Sequence, residues 1–307
     1  MLGYLIRRIA LAAFVVLVVT LLVAWAVRLS GDPAVMLAQG STVTEKDLAN
    51  IREALGLNRP FYVQYLSFLG GIVTGHMGRS FMGGTSVALL IGHALPLTLE
   101  LAFVSLAMSL VFSIPLGVHA AVHRGRGADQ LIRVVSLIGL SFPNFWLALM
   151  LVLVFAIELG WLPPSGAAGG SGLVLPAATL AIILTATNVR LVRSAMLDTL
   201  GAQYVMVARS KGLRENVVLY KHALRNGAIP LITFIGLQFG GLIGGVVVVE
   251  RVFNWPGMGN LAFDAVSTRD YPVLQASVTI LAVMIVAVNL IVDLTYAALD
   301  PRISVAA

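Results

Sequence analysis

Fourteen acids and five histidines are the carboxylates and imidazoles that this 307-residue chain offers to acid–base or metal chemistry. The histidines, His76, His93, His119, His123 and His222, are scattered, and no H-E-x-x-H places two of them on one helical face for zinc. There is no cysteine, hence no disulfide, no thiolate metal ligand and no cysteine nucleophile. No G-x-S-x-G raises a serine on a strand-to-helix turn. No G-x-x-x-x-G-K-[ST] is present, so the chain holds no ATP in a phosphate loop of that kind. Glu100 and Asp293 fall in apolar runs, where an ionisable residue is a functional suspect. Both sit near the ends of their runs, where snorkelling or pairing with a neighbouring helix also accounts for them. The expectation is a protein with no catalytic residues, no metal and no enzyme activity of its own.

The chemistry that remains is recognition, and it concentrates in Ala202–Arg225. Before Gly212, Met196, Leu200, Tyr204 and Val207 recur at helical spacing; after it, Leu213, Val217, Tyr220 and Leu224 do the same. Arg209, Lys211, Arg214, Lys221 and Arg225 lie between the stripes. Gly212 can end one helix and start another in a new direction. The pattern predicts a helix, a turn and a second helix outside the membrane, with an apolar face awaiting a partner.

What must hold this stretch is a set of membrane spans. The chain is 59% hydrophobic and 11% charged, where a soluble domain carries about 25% charged residues. It reads as an all-α polytopic membrane protein. Span one runs from Ile9 to Val27 behind Arg7 and Arg8; it resembles a signal peptide, but its apolar run is too long for a signal core, so it reads as a retained helix. Residues 30–94 hold both charge signs in near balance, with a helix capped by Thr44 and Asp47 and stopped at Gly56. Span two runs over 95–120 and ends in a basic loop with His119, His123, Arg124 and Arg126. Span three covers 131–159, with a kink expected at Pro143, and span four covers 173–191. Span five, 228–249, carries Gly236, Gly240, Gly241, Gly244 and Gly245, including two GxxxG spacings that let a neighbouring backbone approach closely. Span six covers 273–299.

Six spans put both termini on one side. About thirteen of the 20 Lys and Arg fall in the segments this topology makes cytoplasmic, which also places the Gly212 stretch there. Trp25, Trp161 and Trp255 fall near the outer boundary, as an aromatic belt requires. The organisation predicted is an N-terminal helix plus external segment over 1–93, then a five-helix core over 94–307 with its cytoplasmic loop at 194–226. The basic excess is a membrane-orientation signal and calls for no nucleic acid.

The chain resembles the inner-membrane permease subunits of ABC importers, in the dipeptide/oligopeptide/nickel branch. The family's loop motif reads E-A-A, three residues, Gly, nine residues, I-x-L-P. Its third position falls on Ala208, its glycine on Gly212 and its leucine on Leu224. Met206 and Val207 stand where the motif has Glu and Ala, and His222 and Arg225 where it has Ile and Pro. Ala208–Pro230 is closer to the branch than to the general motif. The likeness continues through Gly31-Asp32-Pro33, Leu55-Gly56-Leu57-Asn58-Arg59-Pro60, Val63-Gln64-Tyr65-Leu66, Ser141-Phe142-Pro143, Phe145-Trp146, Glu250–Gly259, Arg269-Asp270-Tyr271-Pro272 and Asp300-Pro301-Arg302. No one of these is specific alone; their order along the whole chain is.

The resemblance implies a type I importer permease fold. It implies a second, similar permease, two cytoplasmic ATPases that bind ATP and Mg, and an extracytoplasmic binding protein that delivers substrate. The loop then couples to an ATPase through Tyr204, Val207, Ala208, Lys211, Gly212, Leu213, Val217, Tyr220 and Leu224. Arg193, Arg209, Lys211 and Arg214 have the alternative role of holding the loop at anionic headgroups. Gln238, Gly240, Gly241, Gly244 and Gly245 are candidates for the translocation path, or for tight helix packing. Asn254, Trp255, Pro256, Asp270 and Tyr271 are candidates for an external gate or binding-protein contact. Peptides are the substrate this branch implies; nickel complexes, glutathione and oligosaccharides are alternatives. The rival class is a secondary transporter that works alone.

Overall fold

An apolar run of about 20 residues can cross a bilayer as a helix, which satisfies its backbone polar groups internally. The computed structural model describes residues 2–29, 31–32, 34–35, 44–54, 56–166 and 170–299. Pro33, Leu55 and the terminal Asp300-Pro301-Arg302 match lie outside the described residues. The elements are α1 (Leu2–Leu29), α2 (Glu45–Ala54), α3 (Phe61–Thr74), α4 (Val87–Val122), α5 (Gly127–Ser141), α6 (Asn144–Leu151), α7 (Val174–Leu200), α8 (Gln203–Ser210), α9 (Glu215–Val217), α10 (Arg225–Gly245), α11 (Val247–Val252), α12 (Met258–Ser267) and α13 (Tyr271–Leu299). Two stretches widen to π-helical bonding, Val152–Glu158 after α6 and Val218–Leu224 after α9.

Among the described residues, four helices are long and apolar enough to cross a membrane: α1, α4, α7 and α13. Two bent pairs raise the number to six if each pair is one span. In the first, Gly127–Ser141 and Asn144–Glu158 meet at 101°. A kink was expected at Pro143; the structure has a complete break. Proline removes a backbone donor and drives the residue before it out of the helical region. Phe142 is accordingly extended, at φ −88° and ψ 133°. In the second pair, Glu215–Ala228 and Leu231–Gly244 meet at 62°. The second arm of the Gly212 stretch is therefore no free helix outside the spans: it runs into α10.

The described chain forms two compact units, each discontinuous in sequence. One comprises Leu99–Trp255 and the stretch beginning at Val288; the other comprises Leu2–Thr98 and Pro256–Ala287.

The first unit is built around α7, which packs against α5, α6, α10 and α11. Its buried face includes Leu180, Val189, Val192 and Met196. The α4 face turned to it is small and polar: Ser105, Ser109 and Ser113 are buried, and Gly117 continues the four-residue spacing. Small residues let helices approach until side-chain hydrogen bonds form between them. Asn188 Nδ2 donates to Ser109 Oγ at 3.0 Å. A Cβ on Gly117 would stand 2.6 Å from Val192 Cβ, so only glycine fits there.

In the second unit, α2 starts as its sequence requires. Thr44 donates its backbone N–H (3.0 Å) and its hydroxyl (2.7 Å) to Asp47 Oδ2. These bonds, the hydroxyl's foremost, hold the Asp47 carboxyl below its ordinary range. Gly56, at φ +65°, ends the helix. Asp32 joins α2 to the preceding segment by an ion pair with Arg52, 2.6 Å. Asp270, just before α13, accepts from the Ser80 hydroxyl and from the Phe81 N–H (3.1 Å).

Candidate functional site

The Gly212 stretch is positioned by the end of α7. That helix stops at Gly201, and Ala202, with extended backbone, turns the chain into α8. Gly212 takes φ +74°, where an L side chain is strained, and donates its N–H to Arg209 O at 2.9 Å. Across this turn Arg209 pairs with Glu215, at 2.7 and 3.3 Å. The pair raises the Arg209 pKa, with the hydrogen bond as the main cause. Arg214 O accepts from the N–H groups of Val217 (2.8 Å) and Val218 (3.1 Å), which starts the second arm.

Two faces result. Val205 and Ala208 of α8, with Val218, Leu219 and Ala223 of the second arm, are buried in one cluster with Val118, Ala121, Val192, Met196 and Leu231. Tyr204, Met206, Val207, Leu213, Val217 and Tyr220 are exposed, each between 38% and 56%. Lys211 and Gly212 are exposed between them. Of the residues singled out for the loop, Ala208 and Leu224 face the core and the others form the exposed surface.

The sequence stripes are thus divided. Met196 is fully buried, because the break at Gly201 ends the helix that would have aligned it with Tyr204 and Val207. Leu224 turns inward because the π-helical bonding over Val218–Leu224 widens the turn and shifts the register after Tyr220.

Arg193 is engaged within the chain. Its guanidinium donates from Nε to Asp129 Oδ1 at 2.6 Å and from Nη2 to Oδ2 at 2.8 Å. Asp129 is 1% exposed and also accepts the Gly125 N–H at 2.9 Å. This fork-to-fork pair ties the Gly125 turn and the first turn of α5 to α7. Sequence reasoning missed Asp129, which lies 64 residues from its partner with no local spacing to reveal it.

On α10, Gly236 and Gly240 pack against the end of α13. An added Cβ at Gly236 would overlap the Val292 side chain, and one at Gly240 would stand 2.8 Å from Asn289 Oδ1. Gly241 has nothing within 4 Å, and Gly244 is exposed. Gly245 closes α10. Gln238 Oε1 is buried with no hydrogen-bond partner among the described residues.

In the segment after α11, Asn254 and Pro256 are exposed, and Asn254 takes φ +47°. Trp255 is 3% exposed, so it is no belt residue, whereas Trp25 and Trp161 are largely exposed. Asp270 and Tyr271 are buried, the latter donating its hydroxyl to Gly31 O at 3.4 Å. Among the described residues no three His, Asp or Glu side chains gather as a metal site.

These features define a multi-helix membrane component with an exposed loop, bent at a glycine, on a buried base. The chain belongs to the family of binding-protein-dependent transport system inner membrane components: the family model matches residues 113–305, and its N-terminal companion matches residues 1–102. It is an ABC importer permease subunit, a multi-pass component of the inner membrane. Among its relatives is the glutathione transport system permease protein GsiC of Escherichia coli, both strain K12 and an O6:H1 strain, 40% identical over 99% of each chain. GsiC of Salmonella paratyphi A is 39% identical over the same share. A chain of the MetNI methionine ABC transporter, solved in inward-facing conformations, shares the fold at TM-score 0.58 and 17% identity, over 69% of this chain and 97% of that one.

Proposed function

We propose that this permease forms half of the pathway of an ATP-driven importer of short peptides and receives the ATPase stroke through residues 203–224. The observation that carries the coupling role is the exposed apolar surface of Tyr204, Met206, Val207, Leu213, Val217 and Tyr220 around the Gly212 turn. An apolar anchor set on a buried base, rimmed by Lys211 and Arg214, is what a groove on a partner takes up. The acid of the general motif is absent, and Glu215 is engaged by Arg209, so docking is apolar. Two ATPases supply ATP and Mg, a second permease completes the pathway, and an external binding protein delivers substrate.

In this reading each bent pair is one span, which makes six, and the termini and the Gly212 loop are cytoplasmic. Gln238, Gly241 and Gly244 face the path, while Gly236 and Gly240 serve packing. The binding-protein contact falls on the exposed Asn254 and Pro256 rather than on the buried Trp255. The relatives' name supports glutathione, itself a peptide, as the first substrate to try. The test is reconstitution with the partner subunits: Leu213→Asp with Val217→Asp is expected to insert normally and to abolish ATP-driven uptake. Uptake by the permease alone, without any ATPase, sinks the proposal.

A further inference from the structure

A cavity of about 550 Å³ opens in the first unit, and the charged residues that line it are all cationic. Arg133 of α5 and Arg190 and Arg193 of α7 border it, with the Thr187 and Ser194 hydroxyl residues, and Phe234 of α10 supplies an aromatic wall. Only one acid answers these three guanidinium groups: Asp129 spends both oxygens on Arg193. Three cations less one carboxylate leave the cavity at +2. Arg133 and Arg190 have no ion-pair partner among the described residues. Arg133 and Arg190 are both exposed, so their guanidinium donors are open to an anion that reaches the cavity. The Asp129 pair holds Arg193 still, and with it the stretch of α7 that carries Arg190 and Ser194.

We propose that this cavity is a binding site for an oxyanion, a phosphate or paired carboxylates, held between Arg133 and Arg190 with Ser194 or Thr187 completing its hydrogen bonds. Planar guanidinium groups bind such oxygens through two parallel N–H donors, which gives the site direction as well as charge. Two sources carry that chemistry: a soluble anion reaching the cavity from water, or the phosphate of an anionic lipid headgroup. The proposal does not depend on the loop's docking, because its test requires no ATPase.

The experiment uses the full chain in uncharged maltoside micelles. Inorganic phosphate and glutarate are titrated by calorimetry, and phosphatidylglycerol doped into the micelles is followed by native mass spectrometry. One saturable site is expected for at least one probe, weakened about tenfold or more in R133Q/R190Q and largely kept in R133K/R190K. Saturation by the two soluble anions assigns the site to a solute; saturation by the lipid alone assigns it to a headgroup. If no probe saturates, or if the neutralised and native chains bind alike, the proposal fails. Should R133Q/R190Q fold poorly by its thermal midpoint, R133Q and R190Q made singly carry the same comparison.

Discussion

At Gly212 the backbone sits at φ +74° with open space around the missing Cβ, so the cost of a side chain there is conformational rather than steric. Gly212→Ala is expected to destabilise the loop by about 1 kcal/mol, and Gly212→Asn by less, since asparagine tolerates left-handed backbone. Hydrogen exchange at Leu213–Val217 would show the difference, and equal protection in all three chains would count against a strained turn. Asp129 tests the opposite situation, a group whose neighbours are everything. Asp129→Asn leaves Arg193 partly buried without its counter-charge and is expected to cost about 3 kcal/mol, read as a lowered Tm. Replacing both partners, as Asp129→Leu with Arg193→Met, should recover most of that loss; a double variant as unstable as the single one would show that the pair is not the unit. These two residues also mark what a sequence discloses. Gly212 was legible because glycine between two periodic stripes has a local meaning. Asp129 was not, because its role exists only once α5 lies against α7.

Elements were legible where their signals were local. Thr44 with Asp47, and Gly56 at the other end, bounded α2 correctly because caps satisfy backbone groups within three residues. The cap carries a pH dependence of known sign. Asp47 is held below its ordinary pKa, so its contribution is present above the usual carboxylate range and is lost as pH falls through the lowered value. Amide protection at Asp47 and Leu48, taken relative to the intrinsic exchange rate at each pH, is therefore expected to fall on acidification in native protein and to be already low at neutral pH in Thr44→Ala. Where an element's face depends on its helical period, the sequence misled: the π-helical turn moved Leu224 inward from the stripe of Val217 and Tyr220. The glycines of α10 divide in the same way, since spacing alone cannot say which of them has a neighbour. Gly236→Ala, forced against Val292, is expected to lose about 1–3 kcal/mol, and Gly241→Ala to be tolerated. Equal effects on membrane-extracted Tm would contradict the packing of α10 on α13.

For the whole molecule the open quantity is parity. Among the described residues four helices are long enough to cross on their own, and two broken pairs decide the rest. If both pairs cross, the number of spans is six and the termini share a side. If one pair instead re-enters and leaves by the same face, the number is five and the termini part. The α5–α6 pair is the more sharply broken of the two, at 101°. Charge favours crossing: Arg124, Arg126 and Arg133 lie on the α4–α5 side of that pair, while the α6 side carries Glu158 and Trp161 and no Lys or Arg before Arg190. A segment flanked by cations at one end and by an interfacial tryptophan at the other is arranged to span. Cleavable tags at the two termini are therefore both expected to survive protease added to intact spheroplasts, and both to be cut once the membrane is opened. Loss of one tag from intact spheroplasts would make one broken pair re-entrant and would move everything beyond it to the opposite face.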